Sequence, residues 1–85
     1  MYLHVGADMV VNLRHVIAIL DLRSAASAPA TAALIQRLQR EGRTCDIAGG
    51  EAKSLVLTDS GAILSPISAT TLKRRSASSL EACRL

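Results

Sequence analysis

Aromatic side chains are nearly absent from this sequence, which has no tryptophan, no phenylalanine and a single tyrosine, Tyr2. Reading of single-stranded RNA leans on aromatic platforms that stack bases, and one terminal tyrosine cannot supply one. The two cysteines, Cys45 and Cys83, lie far apart without CxxC spacing. That pattern fits reduced thiols better than a disulfide framework or a metal pair. Long apolar runs are missing too: the longest is residues 16–20, far short of the roughly 20 needed to cross a bilayer. The opening stretch carries Asp8, Arg14 and Asp21 and lacks a cationic start, so no secretory leader is expected. Together these absences point to a soluble, cytoplasmic protein with no membrane segment.

Aliphatic residues, by contrast, are abundant. The chain has 85 residues, the size of one small domain, and such a domain buries only roughly 60–65% of its unfolded surface. Yet 49% of it is hydrophobic and mean hydropathy is +0.30. One small core cannot hide all of that surface, and a homo-oligomer is the natural place for the excess. The net charge of +3 permits nucleic acid or another anionic surface as partner, and an oligomer would multiply a weak field.

The pattern along the chain predicts a small α+β domain. "YLHV" at 2–5 alternates and meets Gly6, a short strand and turn. "MVVNLRHVIAIL" at 9–20 reads as two short strands joined at the polar break Asn12–His15. Residues 16–20 place Ile17 and Ile19 on one face and Val16, Ala18 and Leu20 on the other, which suits a central strand or a strand at a subunit contact. "RSAASAPAT" at 23–31 reads as a connector of small residues. Pro29 then opens the main helix, about 29–41, with Leu34, Ile35 and Leu38 as its apolar stripe and Gly42 as its stop. Two or three strands follow, with Leu55, Val56 and Leu57 as a buried segment and Thr58-Asp59-Ser60-Gly61 as a hairpin turn. Pro66 ends the return strand, Ser68 caps a short C-terminal helix anchored by Leu72, and the small, polar stretch after Arg75 is expected either to fray or to continue that helix. The strands are expected to form a small antiparallel sheet covered on one face by the main helix.

Nothing in this order assembles a catalytic site. His4 and His15 have no partner at metal-ligand spacing, and no serine sits in a nucleophile elbow or beside a histidine. Gly49 and Gly50 lack the Lys-Ser/Thr of a phosphate loop followed by a helix. Asp8, Asp21, Asp46 and Asp59 all sit where turn chemistry explains them. No enzyme activity, cofactor, metal or small-molecule substrate is therefore expected. The cations are more informative. Arg37 and Arg40 share a helix face, where last-turn cations answer the helix dipole. Arg14 lies in the break at 12–15, and Lys53 lies between the glycine bend and a buried strand. Both are rim positions from which a cation reaches a groove. Lys73, Arg74 and Arg75 are consecutive, so on a helix they fan over about 200° and cannot all meet one phosphate row. With no stacking platform, duplex DNA held by its phosphates is the favoured nucleic acid.

The stretches "MYLHVG", "VVNLRHVIAILDL", "SLVLTDSGAILSPIS" and "TLKRR" occur in an order that resembles the bacterial extracellular-matrix regulator family, RemA and RemB, over about residues 1–75. "MYLH" is more like the RemB branch, and "SAP" at 27–29 resembles the RemA branch. The resemblance implies a cytoplasmic protein that forms closed homo-oligomeric rings. For RemA it implies binding of upstream DNA that activates biofilm-matrix transcription. A ring would repeat Arg14, Lys53 and the 73–75 tract at regular intervals, holding DNA mostly by charge and shape. One departure stands out. Where the resemblance implies a double arginine after a loop glycine, this chain has Gly50 and Glu51. A second departure is His15, which falls where a strand arginine is implied, with Arg14 one place earlier. A shift of one residue on a strand changes the face.

The expectation is thus a single domain over 1–75 with a polar tail over 76–85, forming a ring and binding duplex DNA through Arg14, Lys53, Lys73, Arg74 and Arg75. An oligomeric adaptor that binds protein, having lost DNA affinity, is the other reading, motivated by Glu51 and the modest charge.

Overall fold

The computed structural model describes residues 2–82, with side chains described for residues 2–76; Cys83 lies outside the described residues. The elements run β1 (Tyr2–Gly6), β2 (Met9–Asn12), a 3-10 turn (Leu13–His15), β3 (Val16–Asp21), α1 (Leu22–Ser27), α2 (Pro29–Arg40), β4 (Thr44–Asp46), β5 (Ser54–Thr58), β6 (Gly61–Ser65) and α3 (Ala69–Ala82). The α+β class is as expected. The single antiparallel sheet is not: β1 and β2 form a sheet of their own, and the other four strands are ordered β3-β5-β6-β4. In that second sheet β4 runs parallel to β6, so the sheet is mixed.

The middle of the four-stranded sheet shows why it is covered on both faces rather than one. Along β5 and β6 successive side chains alternate between two cores, as a pleated strand requires. Val56 and Ile63 point into a cluster with Leu3, Val5, Ile19, Ala69 and Leu72. Leu55 and Ala62, with Leu57 and Leu64, point the other way to Leu38, Ile35 and Leu22. The β1–β2 hairpin and α3 therefore close one face, and α1 with α2 close the other. Leu72 is fully buried, as its expected role as an anchor requires.

The main helix, the break at 12–15 and the hairpin turn after Thr58 form as expected. Four other expectations are corrected. Residues 23–31 are not a plain connector, because α1 occupies Leu22–Ser27. The Asp21 side chain caps it by accepting from the Arg23 amide at 2.9 Å. The strand at 16–21 is an edge strand, which excludes the central position and leaves the alternative of a strand at a subunit contact. A bulge between Val16 and Ala18 inserts one residue and breaks the alternation. Val16 and Ile19 therefore both reach the hairpin-side core, while Ile17 stays 65% exposed. Leu34 lies at the rim of the α2 stripe and is exposed, leaving Ile35 and Leu38 to pack. Finally, α3 is not short: at 14 residues it is longer than α2, at 12.

Two close approaches define the ends of the sheet. At the β5–β6 turn the Ala62 amide donates to the Arg43 carbonyl at 2.9 Å. A Cβ on Gly61 would lie 2.1 Å from that same oxygen, and Gly61 has φ of +147°, so only glycine fits. At the opposite end two fully buried serines satisfy backbone groups. Ser65 Oγ donates to the Val5 carbonyl at 2.7 Å and accepts from the Ile67 amide at 3.0 Å. Ser54 Oγ donates to the Ile67 carbonyl at 2.6 Å. These hydroxyls fasten the segment leading into α3.

Candidate nucleic-acid interface

The register of β3 on β5 decides which of the expected cations meet. Asp21 pairs with Ser54 at one end and Val16 with Thr58 at the other, a span of about 14 Å along β5. Lys53 precedes Ser54, and Arg14 precedes Val16. The two therefore stand at opposite ends of the sheet and cannot share a phosphate.

At the Lys53 end the backbone of Lys53 is held from two sides. Its carbonyl accepts from the Leu22 amide at 3.2 Å, and its amide donates to the Ser65 carbonyl at 2.8 Å. This fixes the root of an exposed side chain. The helix α3 starts at the same end. Its first turn is capped by Ser68 Oγ, which accepts from the Thr71 amide at 3.3 Å. Between α1, Lys53 and this first turn lies a cleft of about 540 Å³ whose lining includes Arg23 as well as Lys53. Arg23 was absent from the expected site because residues 23–31 read as a connector. The available signal was Asp21, a good N-cap residue directly after a strand.

The 73–75 tract divides by helix geometry. Taking the buried Leu72 as the inward direction, each further residue turns about 100°. Lys73 faces sideways, Arg74 points almost directly away from the core, and Arg75 swings back toward β1. There Arg75 Nη1 donates to the His4 carbonyl at 3.3 Å. All three are exposed, but Arg75 is partly engaged in holding α3 to β1, whereas Lys73 and Arg74 have no ion-pair partner among the described residues.

The Asp59 end differs in its charge pairing. His15 Nδ1 donates to Asp59 Oδ2 at 2.8 Å. This hydrogen bond is the main reason the Asp59 carboxyl is held below its ordinary value of 3.8. Nearby, Glu41 accepts from Arg37 Nε at 3.3 Å and from Arg43 Nη1 at 3.4 Å. The Arg37 bond leads in lowering the Glu41 carboxyl below 4.5. Arg43 also donates to the Ser60 carbonyl at 3.3 Å. Among the described cations of this end, Arg14 and Arg40 remain outside these pairs.

The loop at 47–53, where the resemblance implies two arginines, is organised by a carboxylate instead. Asp46 accepts from the Ala48 amide at 2.8 Å and from the Gly50 amide at 3.2 Å. Gly49 and Gly50 both have positive φ, which lets the loop curl so that the Ala48 and Gly50 amides reach Asp46. Glu51 is exposed beside them. Lys53 is the cation this loop offers.

Among the described residues no three His, Cys, Asp or Glu side chains gather where they would hold a metal, and no helix is long and apolar enough to cross a membrane. Cys45 is a free, exposed thiol.

Comparison with known proteins gives two findings. A family model described as "RemA-like: Extracellular matrix regulatory protein A-like" matches residues 2–75. "Extracellular matrix regulatory protein B" of Bacillus subtilis (strain 168) is 32% identical over 75 residues, which cover 88% of this chain and 89% of that protein.

Proposed function

The chain belongs to the RemA-like family of extracellular matrix regulatory proteins, and from that premise we propose that it is a cytoplasmic transcription regulator that forms a homo-oligomeric ring and binds duplex DNA. The ring holds the phosphates of biofilm-matrix promoters through Lys53, Lys73, Arg74 and Arg75, with Arg14 contributing from the other end of the sheet.

The observation that carries this reading is an imbalance in how charges are used. Four of the carboxylates have internal partners: Asp21 and Asp46 bind backbone amides, Glu41 binds Arg37 and Arg43, and Asp59 binds His15. The exposed cations Arg14, Lys53, Lys73 and Arg74 have no ion-pair partner among the described residues. The net charge is only +3, but these four cations are free of ion pairs and so available to phosphates. Repetition around a ring adds these cations up along a rim, where binding comes from charge and shape more than from base edges. The exposed Tyr2, Val10, Ile17 and Leu34 supply apolar surface for contacts between subunits.

One observation favours a second reading, an oligomeric adaptor for another protein. The loop at 47–53 has its amides turned onto Asp46 and carries Glu51, which repels phosphate.

The test is light scattering followed by titration of a fluorescent duplex across a salt series. The regulator gives an oligomer whose log affinity falls with log salt by about 0.9 for each phosphate neutralised. An oligomer that ignores DNA at low salt selects the adaptor, and a monomer removes the ring.

A further inference from the structure

We infer that the cleft between α1, residues 52–53 and the start of α3 is a phosphate-binding site, and that Arg23 is the second cation of that site beside Lys53. The source of the phosphate, a duplex backbone, rests on the DNA reading above; the site itself rests on the geometry of the cleft.

Two cations reach this cleft from segments that are far apart in sequence but tied together in space. Leu22 donates to the Lys53 carbonyl at 3.2 Å, so the residue next to Arg23 is bonded directly to Lys53. The backbone at each root is held as well: the Arg23 amide donates to Asp21 at 2.9 Å, and the Lys53 amide donates to the Ser65 carbonyl at 2.8 Å. Both side chains are exposed, and neither has an ion-pair partner among the described residues.

Asp21 is the sole carboxylate among the described residues of the lining, and its Oδ1 is turned onto the Arg23 amide. It caps α1, and it makes no ion pair with either cation. The remaining walls are alanines and short hydroxyl side chains, Ala26, Ala52 and Thr70 among them. They leave a cleft of about 540 Å³, with room for a tetrahedral anion and two long side chains converging on it. A planar guanidinium and a mobile ammonium suit that anion in different ways. Arg23 can present two parallel N–H groups to two oxygens, and Lys53 can follow a third as a point charge.

Salt-series titration of a fluorescent duplex with the wild-type chain, Arg23→Gln and Arg23→Lys reads this out. Arg23→Gln is expected to lower the salt slope by about 0.9 and weaken binding about eightfold near ~0.1 M salt. Arg23→Lys, which keeps the charge, is expected to restore the slope. If the wild type binds with a steep slope and Arg23→Gln matches it, the cleft is overturned while the regulator reading stands. If the wild type ignores DNA, the regulator reading falls, and inorganic phosphate becomes the probe. Shifts in the amide signals of Arg23, Ala52 and Lys53 that Arg23→Gln abolishes then sustain the cleft as a site for a free phosphate group. No shift with either probe overturns it.

Discussion

At one end of the four-stranded sheet His15 meets Asp59, and Glu41 gathers Arg37 and Arg43; at the other, Lys53 and Arg23 face a cleft with no ion-pair partner among the described residues. The means of fastening differ in the same way. The Asp59 end is closed by a glycine contact, the part-buried Thr58 hydroxyl on the Gly61 carbonyl, and exposed ion pairs. The Lys53 end is closed by buried hydroxyls, Ser54 and Ser65, bonded to backbone. Exposed ion pairs add little to stability, typically under about 1 kcal/mol, but they do neutralise cations. Buried hydroxyls hold the chain without consuming any charge. The comparison teaches that the Lys53 end can be both well fastened and electrostatically open.

The largest expected effect breaks the Asp59 end. Gly61→Ala forces a Cβ against the Arg43 carbonyl and should cost about 3 kcal/mol or more, read as a lower denaturation midpoint. An unchanged midpoint would mean that the β5–β6 turn relaxes freely. Next comes the Lys53 end. Ser65→Ala leaves the Val5 carbonyl and the Ile67 amide without their hydroxyl partner, for about 2 kcal/mol. Ser76→Ala, at a half-buried helix position whose hydroxyl bonds only the Lys73 carbonyl, should change stability far less.

Parts of this arrangement were legible in the sequence, for physical reasons that can be named. Pro29, the Ile35 and Leu38 stripe and Gly42 are local signals, and α2 forms where they place it. The turn at Asp59 and Ser60 is local as well. The pairing of β4 with β6 depends on chain segments brought together only by the fold, and nothing in "TCD" encodes a parallel partner. The edge position of β3 was hidden because the bulge at Ile17 breaks the alternation from which burial is read. At the site, Lys53 and the 73–75 tract were visible as charges. Their separation from Arg14, the inward turn of Arg75 and the presence of Arg23 depend on register and on α1. That helix carries too few large apolar residues to show a stripe.

Two smaller effects sharpen the comparison. Glu51→Arg replaces a repelling carboxylate with a cation beside Lys53, and duplex affinity should rise about eightfold near ~0.1 M salt with a slope steeper by about 0.9. No gain would place the 47–53 loop away from the DNA. The smallest effect is on acid stability. The carboxyls of Glu41 and Asp59 are held below their ordinary 4.5 and 3.8, so the unfolded chain binds protons more readily than the folded one. Their contribution is present above those ordinary values and is lost as pH falls through the lower folded ones. Acid denaturation of Glu41→Gln/Asp59→Asn should therefore depend less steeply on pH than that of the wild type. Equal steepness would show that these pairs do not persist in solution.

The central claim, that the open Lys53 end carries the DNA and the self-neutralised Asp59 end contributes less, is tested most directly by comparing Lys53→Gln with Arg14→Gln in one salt-series titration of duplex DNA. The account predicts that Lys53→Gln lowers the slope by about 0.9, with a clearly smaller change for Arg14→Gln. Equal losses, or a larger loss at Arg14, would contradict it.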